Sequence, residues 1–341
     1  MSIRTRLLLP ILAIPTAALA DAPRVMTDFG PTQSIVTDLM SGVALPEVLL
    51  TPGDDPHDFT LRPSQARTLS NADVVIWVGP ALTPWLVDPV ANLSGDAVGL
   101  PLLETEGWEI LPTRGTEDDD HDHDDHEDAH DDHDDHDDHD DHDDHGHDDD
   151  HDEDKHDNHE HDEDNHDAHH GHDHGDSDPH AWLDPAIASV WAGEIAATLT
   201  TLDSENAQTY ADNLSKFQAD MTQLTADLAT ITDDVEGSRI ILPHDSFQYF
   251  EVSTGLVPAG FISNAEDADP GPQHLRGLRE QVTSGAVTCV LHESPTDAEW
   301  ADVLIEGTDA KSALLDVTDR AEVGYAAMMR QLAETLRDCA N

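Results

Sequence analysis

Metal-binding side chains are concentrated in one stretch of this 341-residue chain. Of the 24 histidines, 19 lie within residues 117–176, a run made almost entirely of Asp, Glu and His. Because the run has too few apolar side chains to form a core, we predict that it is a disordered insertion. It would bind several metal ions weakly, and less well below about pH 6.5, since its ligands must be ordered and deprotonated. The candidate auxiliary metal ligands at its end are His169, His170, His172 and His174.

Three of the five remaining histidines occupy comparable positions. His57 follows a predicted strand in GDDPHDF, His180 begins a predicted helix in SDPHAWLDP, and His244 ends a predicted strand in ILPHDSF. Ligands of open α/β sheets bind beyond the carboxyl ends of the strands, where we expect His57 and His244 to lie. A single loop histidine is usually solvated or hydrogen-bonded, but three such histidines in a chain with a His-rich run favour a metal site. Their spacing matches no local metal motif such as C-x-x-C.

The elements that must position these histidines alternate between strand and helix. The alternation predicts an α/β fold with parallel sheets, in an N-terminal lobe over 21–203 and a C-terminal lobe over 237–341. Between them, 204–236 carries a single apolar stripe with helical spacing, which predicts a long helix linking the lobes. The stripe consists of Tyr210, Leu214, Phe217, Met221, Leu224, Leu228 and Ile231.

The start of the chain and the cysteine count both favour an exported protein. Residues 1–20 contain Arg4 and Arg6, an apolar stretch and a small-residue end, the pattern of a secretory signal peptide. The two cysteines, Cys289 and Cys339, are an even pair, which suggests a disulfide in an oxidising compartment; two free buried thiols are the alternative.

The net charge of −59 excludes a nucleic-acid partner, because phosphate binding needs clustered Lys and Arg. Cations are the natural partners of so acidic a chain.

Five stretches resemble the zinc-uptake periplasmic receptors of ABC transporters (ZnuA-type), which belong to the cluster A-I metal receptors. These stretches are HDFTLRPSQARTLSNADVVIWVGP (57–80), DPHAWLDP (178–185), PHDSFQYF (243–250), TCVLHESP (288–295) and LLDV (314–317). The resemblance implies two Rossmann-like α/β lobes with parallel sheets, joined by a long rigid backbone helix, with the metal in the inter-lobe cleft. It also implies that Cys289 and Cys339 form the disulfide of zinc receptors.

The resemblance further implies a set of metal ligands. His57, His180 and His244 match the three imidazole ligands, and Asp316 matches the carboxylate position of the family. Some zinc receptors have a Glu before the first histidine, where this chain has Pro56, so Asp316 or a water is the expected fourth ligand. Glu293 lies in the resembling TCVLHESP stretch, and we interpret it as structural, with a position lining the cleft as the alternative. His274 and His292, which match no family role, we interpret as surface or structural residues.

The function implied is that of a periplasmic receptor, not an enzyme, which captures Zn²⁺ and delivers it to an inner-membrane ABC permease. Three neutral imidazoles and one oxygen suit Zn²⁺, whereas a manganese-type receptor, one alternative, would favour more carboxylates. A second alternative is a periplasmic zinc buffer or metallochaperone that acts mainly through the run. A third is a zinc hydrolase, against which no Glu is placed as a general base beside a paired-His motif. We expect a monomer.

Overall fold

The computed structural model describes residues 22–114, 177–235, 239–263, 270–320 and 322–341. The predicted signal peptide (1–20) and the His-rich run lie outside these ranges, as do the four auxiliary candidates His169, His170, His172 and His174.

The N-terminal sheet is parallel and has the strand order β2-β1-β3-β4. Its strands are β1 (Val25–Thr27), β2 (Glu47–Val48), β3 (Val74–Trp77) and β4 (Val98–Pro101). The central strand β3 is a continuous apolar run because both of its faces are buried. The edge strand β4 was not predicted from the sequence. It is partly exposed, and it contains Gly99 and Pro101, which are typical of edge strands and not of strand interiors.

The C-terminal sheet repeats this topology, with the parallel order β6-β5-β7-β8. Its strands are β5 (Ile240–His244), β6 (Gly260–Ser263), β7 (Cys289–His292) and β8 (Lys311–Leu314). β5 runs along β6 as far as His244, although Pro243 has no N–H to donate, while its register with β7 covers only Ile240 and Ile241.

Helices connect the strands of both sheets. They are α1 (Gly30–Leu39), α2 (Pro63–Leu69), α3 (Val87–Leu93), α4 (Pro185–Leu202), α5 (Ala207–Thr232), α6 (Gln248–Thr254), α7 (Pro272–Thr283), α8 (Pro295–Ile305) and α9 (Tyr325–Ala340). In the described part of the chain no helix is both long and apolar enough to cross a membrane. The predicted α/β fold, with two parallel sheets and a long connecting helix, is confirmed.

The long helix α5 packs against both halves of the fold. It contacts α1 and α4 on the N-terminal side and α6 and α9 on the C-terminal side. Its predicted stripe is buried or partly buried in the main hydrophobic core. Asn213 donates to the carbonyls of Leu39 and Ser41, both at 2.9 Å, and Asp227 accepts from Arg330 of α9 at 3.0 Å. The 26 residues of α5 span about 39 Å, less than predicted, because residues Ser204–Asn206 form a separate 3-10 turn.

One hydrophobic core contains side chains from both sheets. Val74 and Ile76 of β3 belong to it, together with Ile240 of β5 and Leu291 of β7. Val75, which points to the other face of β3, belongs to a smaller cluster. All described residues lie in one compact unit, so the two sheets and α5 share a single folded body.

The N-terminus of α1 lies directly against the loop that follows β8. A Cβ atom on Gly30 would overlap the carbonyl oxygen of Thr318, so only glycine allows this approach. Four residues further along α1, the Ser34 hydroxyl accepts a hydrogen bond from the N–H of Tyr325 at 2.6 Å. The two halves of the chain therefore touch at a second place besides α5.

The expected disulfide between Cys289 and Cys339 is present. It joins β7 to the last turn of α9, across a sequence separation of 50 residues.

Asp28 follows β1 directly and is fully buried. Its Oδ2 accepts a hydrogen bond from Val78 N–H at 2.8 Å, and its Oδ1 accepts one from Phe29 N–H at 2.9 Å. The carboxyl group thus joins the carboxyl ends of β1 and β3, where the strand order reverses. Burial raises the pKa of Asp28 to about 6, although its hydrogen bonds to the backbone oppose the rise.

Replacing this group, Asp28→Asn, should change how stability depends on pH. Because the pKa of about 6 lies above the ordinary 3.8, Asp28 stabilises the fold fully below 3.8, and this contribution is lost as the pH rises through 6. The free energy of unfolding of the wild type, relative to the variant, should fall by roughly 2 kcal/mol between about pH 4 and pH 7. Urea unfolding across that range measures it. The exposed control Asp88→Asn in α3 should keep the wild-type profile, and parallel profiles for wild type and Asp28→Asn would contradict the raised pKa.

Candidate metal centre

The three predicted histidines meet in space. The ring centroids of His57 and His180 are 5.6 Å apart, and those of His180 and His244 are also 5.6 Å apart. His180 and His244 are 7% and 8% exposed, and His57 is half-buried. Each comes from a different element: the β2–α2 loop, the segment before α4, and the last residue of β5.

Two hydrogen bonds between side chains and backbone groups hold the loop that carries His57. The N–H of His57 donates to Asp55 Oδ1 at 2.8 Å, and the indole N–H of Trp85 donates to the Pro56 carbonyl at 2.8 Å. His57 lies nine residues beyond the end of β2, so it is further from its strand than predicted. Asp58, which could have oriented it, is exposed.

His180 is oriented by Asp178, which is only 1% exposed. Asp178 Oδ1 accepts from the backbone N–H of His180 at 2.9 Å and lies 2.8 Å from the ring Nδ1. A carboxylate at Nδ1 makes that nitrogen the protonated one, which leaves Nε2 as the nitrogen able to bind a metal. The segment is fixed on its other side by Trp182, whose indole N–H donates to the Val317 carbonyl at 3.0 Å.

His244 lies at the switch point of the C-terminal sheet, between the carboxyl ends of β5 and β7. Glu293 follows β7 directly, is buried, and places Oε2 at 3.7 Å from His244 Nδ1. Arg320 supports it by donating to the Glu293 carbonyl at 2.7 Å. Glu293 thus lines the cleft, the alternative to a structural role, and the signal for this position in the sequence is an acid immediately after a buried apolar strand.

Asp316, the predicted carboxylate ligand, is directed towards its own turn. Its Oδ1 accepts from the N–H groups of Thr318 at 3.2 Å and Arg320 at 3.0 Å. Asp245, which follows His244, forms an ion pair with Arg114. Glu251 forms a second ion pair with the same guanidinium group. Burial raises the pKa of Asp245, and the pairing with Arg114 limits the rise.

The three histidines line a cleft of about 370 Å³ to which both halves of the fold contribute, whereas Asp316 is not among its lining residues. It contains the three histidines, Glu293 and Arg320. Imidazole nitrogens with one nearby carboxylate form a donor set typical of zinc sites. In the arrangement seen here, no three His, Cys, Asp or Glu side chains of the described residues already form a group that could hold a metal ion.

Solved structures with this fold include ZnuA itself, at a TM-score of 0.70 and 18% identity, covering 94% of this chain and 100% of that one. A ZnuA deletion mutant with zinc bound aligns at a TM-score of 0.69 and 19% identity, covering 94% and 99% of the two chains. The fold is therefore the two-sheet α/β fold of these solved ZnuA structures.

The sequence comparisons define the family. Residues 25–339 match the family described as ZnuA, zinc-uptake complex component A, periplasmic. The high-affinity zinc uptake system protein ZnuA of Paracoccus denitrificans is 40% identical over 336 residues, 96% of this chain and 95% of that protein. The protein of the same name in Brucella abortus is 33% identical over 323 residues, 92% and 91% of the two chains. The chain belongs to the ZnuA family, whose members are receptors and not enzymes, as expected.

The contact between Asp178 and His180 predicts a single tautomer of this ring. In the wild type near neutral pH, His180 should carry its proton on Nδ1, and in Asp178→Ala it should lose that preference because the acceptor is gone. Long-range ¹H–¹⁵N correlation spectra distinguish the two tautomers. His274 is the internal control, since its Nε2 lies 2.8 Å from the Phe261 carbonyl and should stay protonated in both proteins. An unchanged His180 signal in the variant would show that Asp178 does not set the tautomer.

Proposed function

We propose that this chain is a periplasmic receptor that captures Zn²⁺ with high affinity and delivers it to the ABC permease of a zinc importer in the inner membrane. The observation that carries the proposal is the meeting of three histidines, distant in sequence, in one cleft of a ZnuA-family chain. The relatives named high-affinity zinc uptake system proteins support zinc as the cargo.

In this proposal His57, His180 and His244 each bind Zn²⁺ through an imidazole nitrogen. Four-coordinate Zn²⁺ holds such nitrogens at about 2.1 Å, which places the centroids of two ligating rings roughly 5 Å apart. The separations of 5.6 Å between His180 and each of the other two rings are close to that value. The metal would lie between the lobe of residues 21–203 and the lobe of residues 237–341, which 204–236 links.

The fourth ligand is proposed to be Asp316. Its Oδ1 already accepts two backbone N–H groups, and a carboxylate needs only one oxygen to complete a tetrahedral site. Glu293 is proposed to act one step further out. Its position beside His244 Nδ1 resembles that of Asp178 beside His180, so it would orient the ring and favour coordination through Nε2.

The His-rich run is proposed to be an auxiliary segment that gathers zinc near the cleft. The run ends immediately ahead of Ser177 and Asp178, only a few residues before the proposed ligand His180. Its imidazoles and carboxylates would raise the local concentration of cations without forming the tight site. The rival hypothesis, a zinc buffer acting through the run, assigns tight binding to the run itself.

Deleting residues 117–176 should leave one tight zinc site. Titration of the deletion protein against a competing chelator should give one Zn²⁺ per chain, and His57→Ala in the same background should weaken binding by about 100-fold or more, since even outer partners of metal ligands are worth 10- to 100-fold. His274→Ala is the matched control, because this histidine contacts a backbone carbonyl instead of the cleft. Loss of all tight binding with the run would support the buffer hypothesis.

The fourth ligand can be identified by two substitutions. Asp316→Ala should weaken zinc binding by about 100-fold if the carboxylate coordinates the metal, whereas Glu293→Gln should weaken it by about 10-fold as the loss of an orienting partner. Competition titrations on the full chain measure both. A change below about 10-fold for Asp316→Ala would assign the fourth position to water, and a larger loss for Glu293→Gln than for Asp316→Ala would exchange the two roles.

A further inference from the structure

The chain segments on either side of the His-rich run lie side by side. Pro112 and Ser177 form an isolated antiparallel bridge, and the N–H of Asp178 donates to the Leu111 carbonyl at 2.8 Å. We call residues 111–114 together with 177–178 the insertion root.

Arg114 attaches the insertion root to the C-terminal half of the fold. Its Nε lies 2.8 and 3.0 Å from the two carboxylate oxygens of Asp245, and its Nη2 also donates to Asp245. Its Nη1 and Nη2 donate to the two oxygens of Glu251 at 2.9 and 2.8 Å. The guanidinium also lies 5.0 Å from the ring centroid of Phe261. A planar guanidinium can bridge two carboxylates and an aromatic ring in this way, and a lysine ammonium cannot.

The paired carboxylates are well shielded from solvent. The side chains of Asp245 and Glu251 are 8% and 11% exposed, while that of Arg114 is 38% exposed. Two neighbouring carboxylates with little solvent repel one another, so the cation between them has a structural effect larger than that of an exposed ion pair.

The first turn of α6 makes a second set of contacts with the insertion root. Gln248 Nε2 donates to the Pro112 carbonyl and to Asp178 Oδ2, both at 3.0 Å. The Tyr249 hydroxyl accepts from Leu111 N–H at 2.9 Å and donates to the Asp178 carbonyl at 3.2 Å. Both segments of the insertion root are therefore hydrogen-bonded to α6.

These contacts reach carboxylates that neighbour two of the three histidines. Asp245 is the residue after His244, and Asp178 is the residue whose carboxylate orients the ring of His180. The carboxylates that Arg114 and Gln248 contact are therefore the immediate neighbours of His244 and His180.

We propose that Arg114 is a positioning residue for the metal centre, which fixes the insertion root against the β5–α6 corner and thereby sets the spacing of His180 and His244. The proposal rests on the proposed zinc-binding function. It gives the root, as distinct from the run, a role in the tight site: the run can be removed, but Arg114 has to remain.

The test compares Arg114→Ala, Arg114→Lys and the control Arg24→Ala in the full chain. Arg24 also pairs through two nitrogens with an aspartate, Asp73, but on the exposed surface and away from the cleft. Arg114→Ala should weaken the tightest zinc site by about 10-fold in competition titrations, the usual scale for an outer partner of a metal ligand. Arg114→Lys should recover only part of this loss. It restores the positive charge, but a single ammonium cannot bridge both carboxylates. Arg24→Ala should bind as the wild type does.

A spectroscopic measurement separates positioning from general destabilisation. At one Co²⁺ per chain, where the tight site fills first, the visible absorption bands should shift in Arg114→Ala and stay unchanged in Arg24→Ala, because only the former alters the ligand geometry. Glu251→Gln, which keeps the shape of the cluster and removes one charge, should shift them less and keeps the test available if Arg114→Ala fails to fold.

The outcomes distinguish the two proposals. A wild-type chain without a tight zinc site would overturn the proposed function. A wild-type chain that binds zinc tightly, with unchanged affinity and an unchanged Co²⁺ spectrum in Arg114→Ala, would overturn only the positioning role of Arg114.

Discussion

The burial of one apolar stripe along α5 holds the two sheets on a common core, and the geometry of the metal centre depends on it. His57 and His180 belong to the N-terminal half of the fold, and His244 belongs to the C-terminal sheet. The rings of His180 and His244 can lie 5.6 Å apart only if the two halves have a fixed relation. The apolar stripe of α5, the approach of Gly30 to Thr318 and the bond between Trp182 and Val317 each contribute to that relation.

Parallel sheets then explain why the histidines are where they are. In each sheet the strand order reverses between two central strands, and the carboxyl ends of those strands leave a gap. The N-terminal gap is closed by Asp28, which accepts backbone N–H groups. The C-terminal gap instead holds His244 and Glu293. Two sheets of the same topology thus differ at the same position. In one sheet it holds a carboxylate that joins two strands, and in the other it holds residues of the proposed metal centre.

The sequence predicted those features of the fold that depend on local periodicity. The prediction of the α5 stripe was right because the helical period determines which side chains share one face. The edge strand β4 was not predicted, since its pairing with β3 decides it. The disulfide follows the same distinction: Cys289 and Cys339 are an even pair in the sequence, but only the packing of β7 against α9 brings them together.

For the proposed metal centre, the sequence by itself determined which residues are candidates. The three histidines lie within stretches that resemble those of the receptor family, and this can be recognised without coordinates. The tertiary structure decided which side chains surround them. It placed Glu293 beside His244, directed the Asp316 carboxylate to the amides of its own turn, and brought Arg114 to Asp245. These are contacts between segments far apart in the chain, or orientations set by a local turn, and neither leaves a periodic signal in the sequence. The proposed ligands could therefore be named from residue types, whereas their orientation is a property of the packed fold.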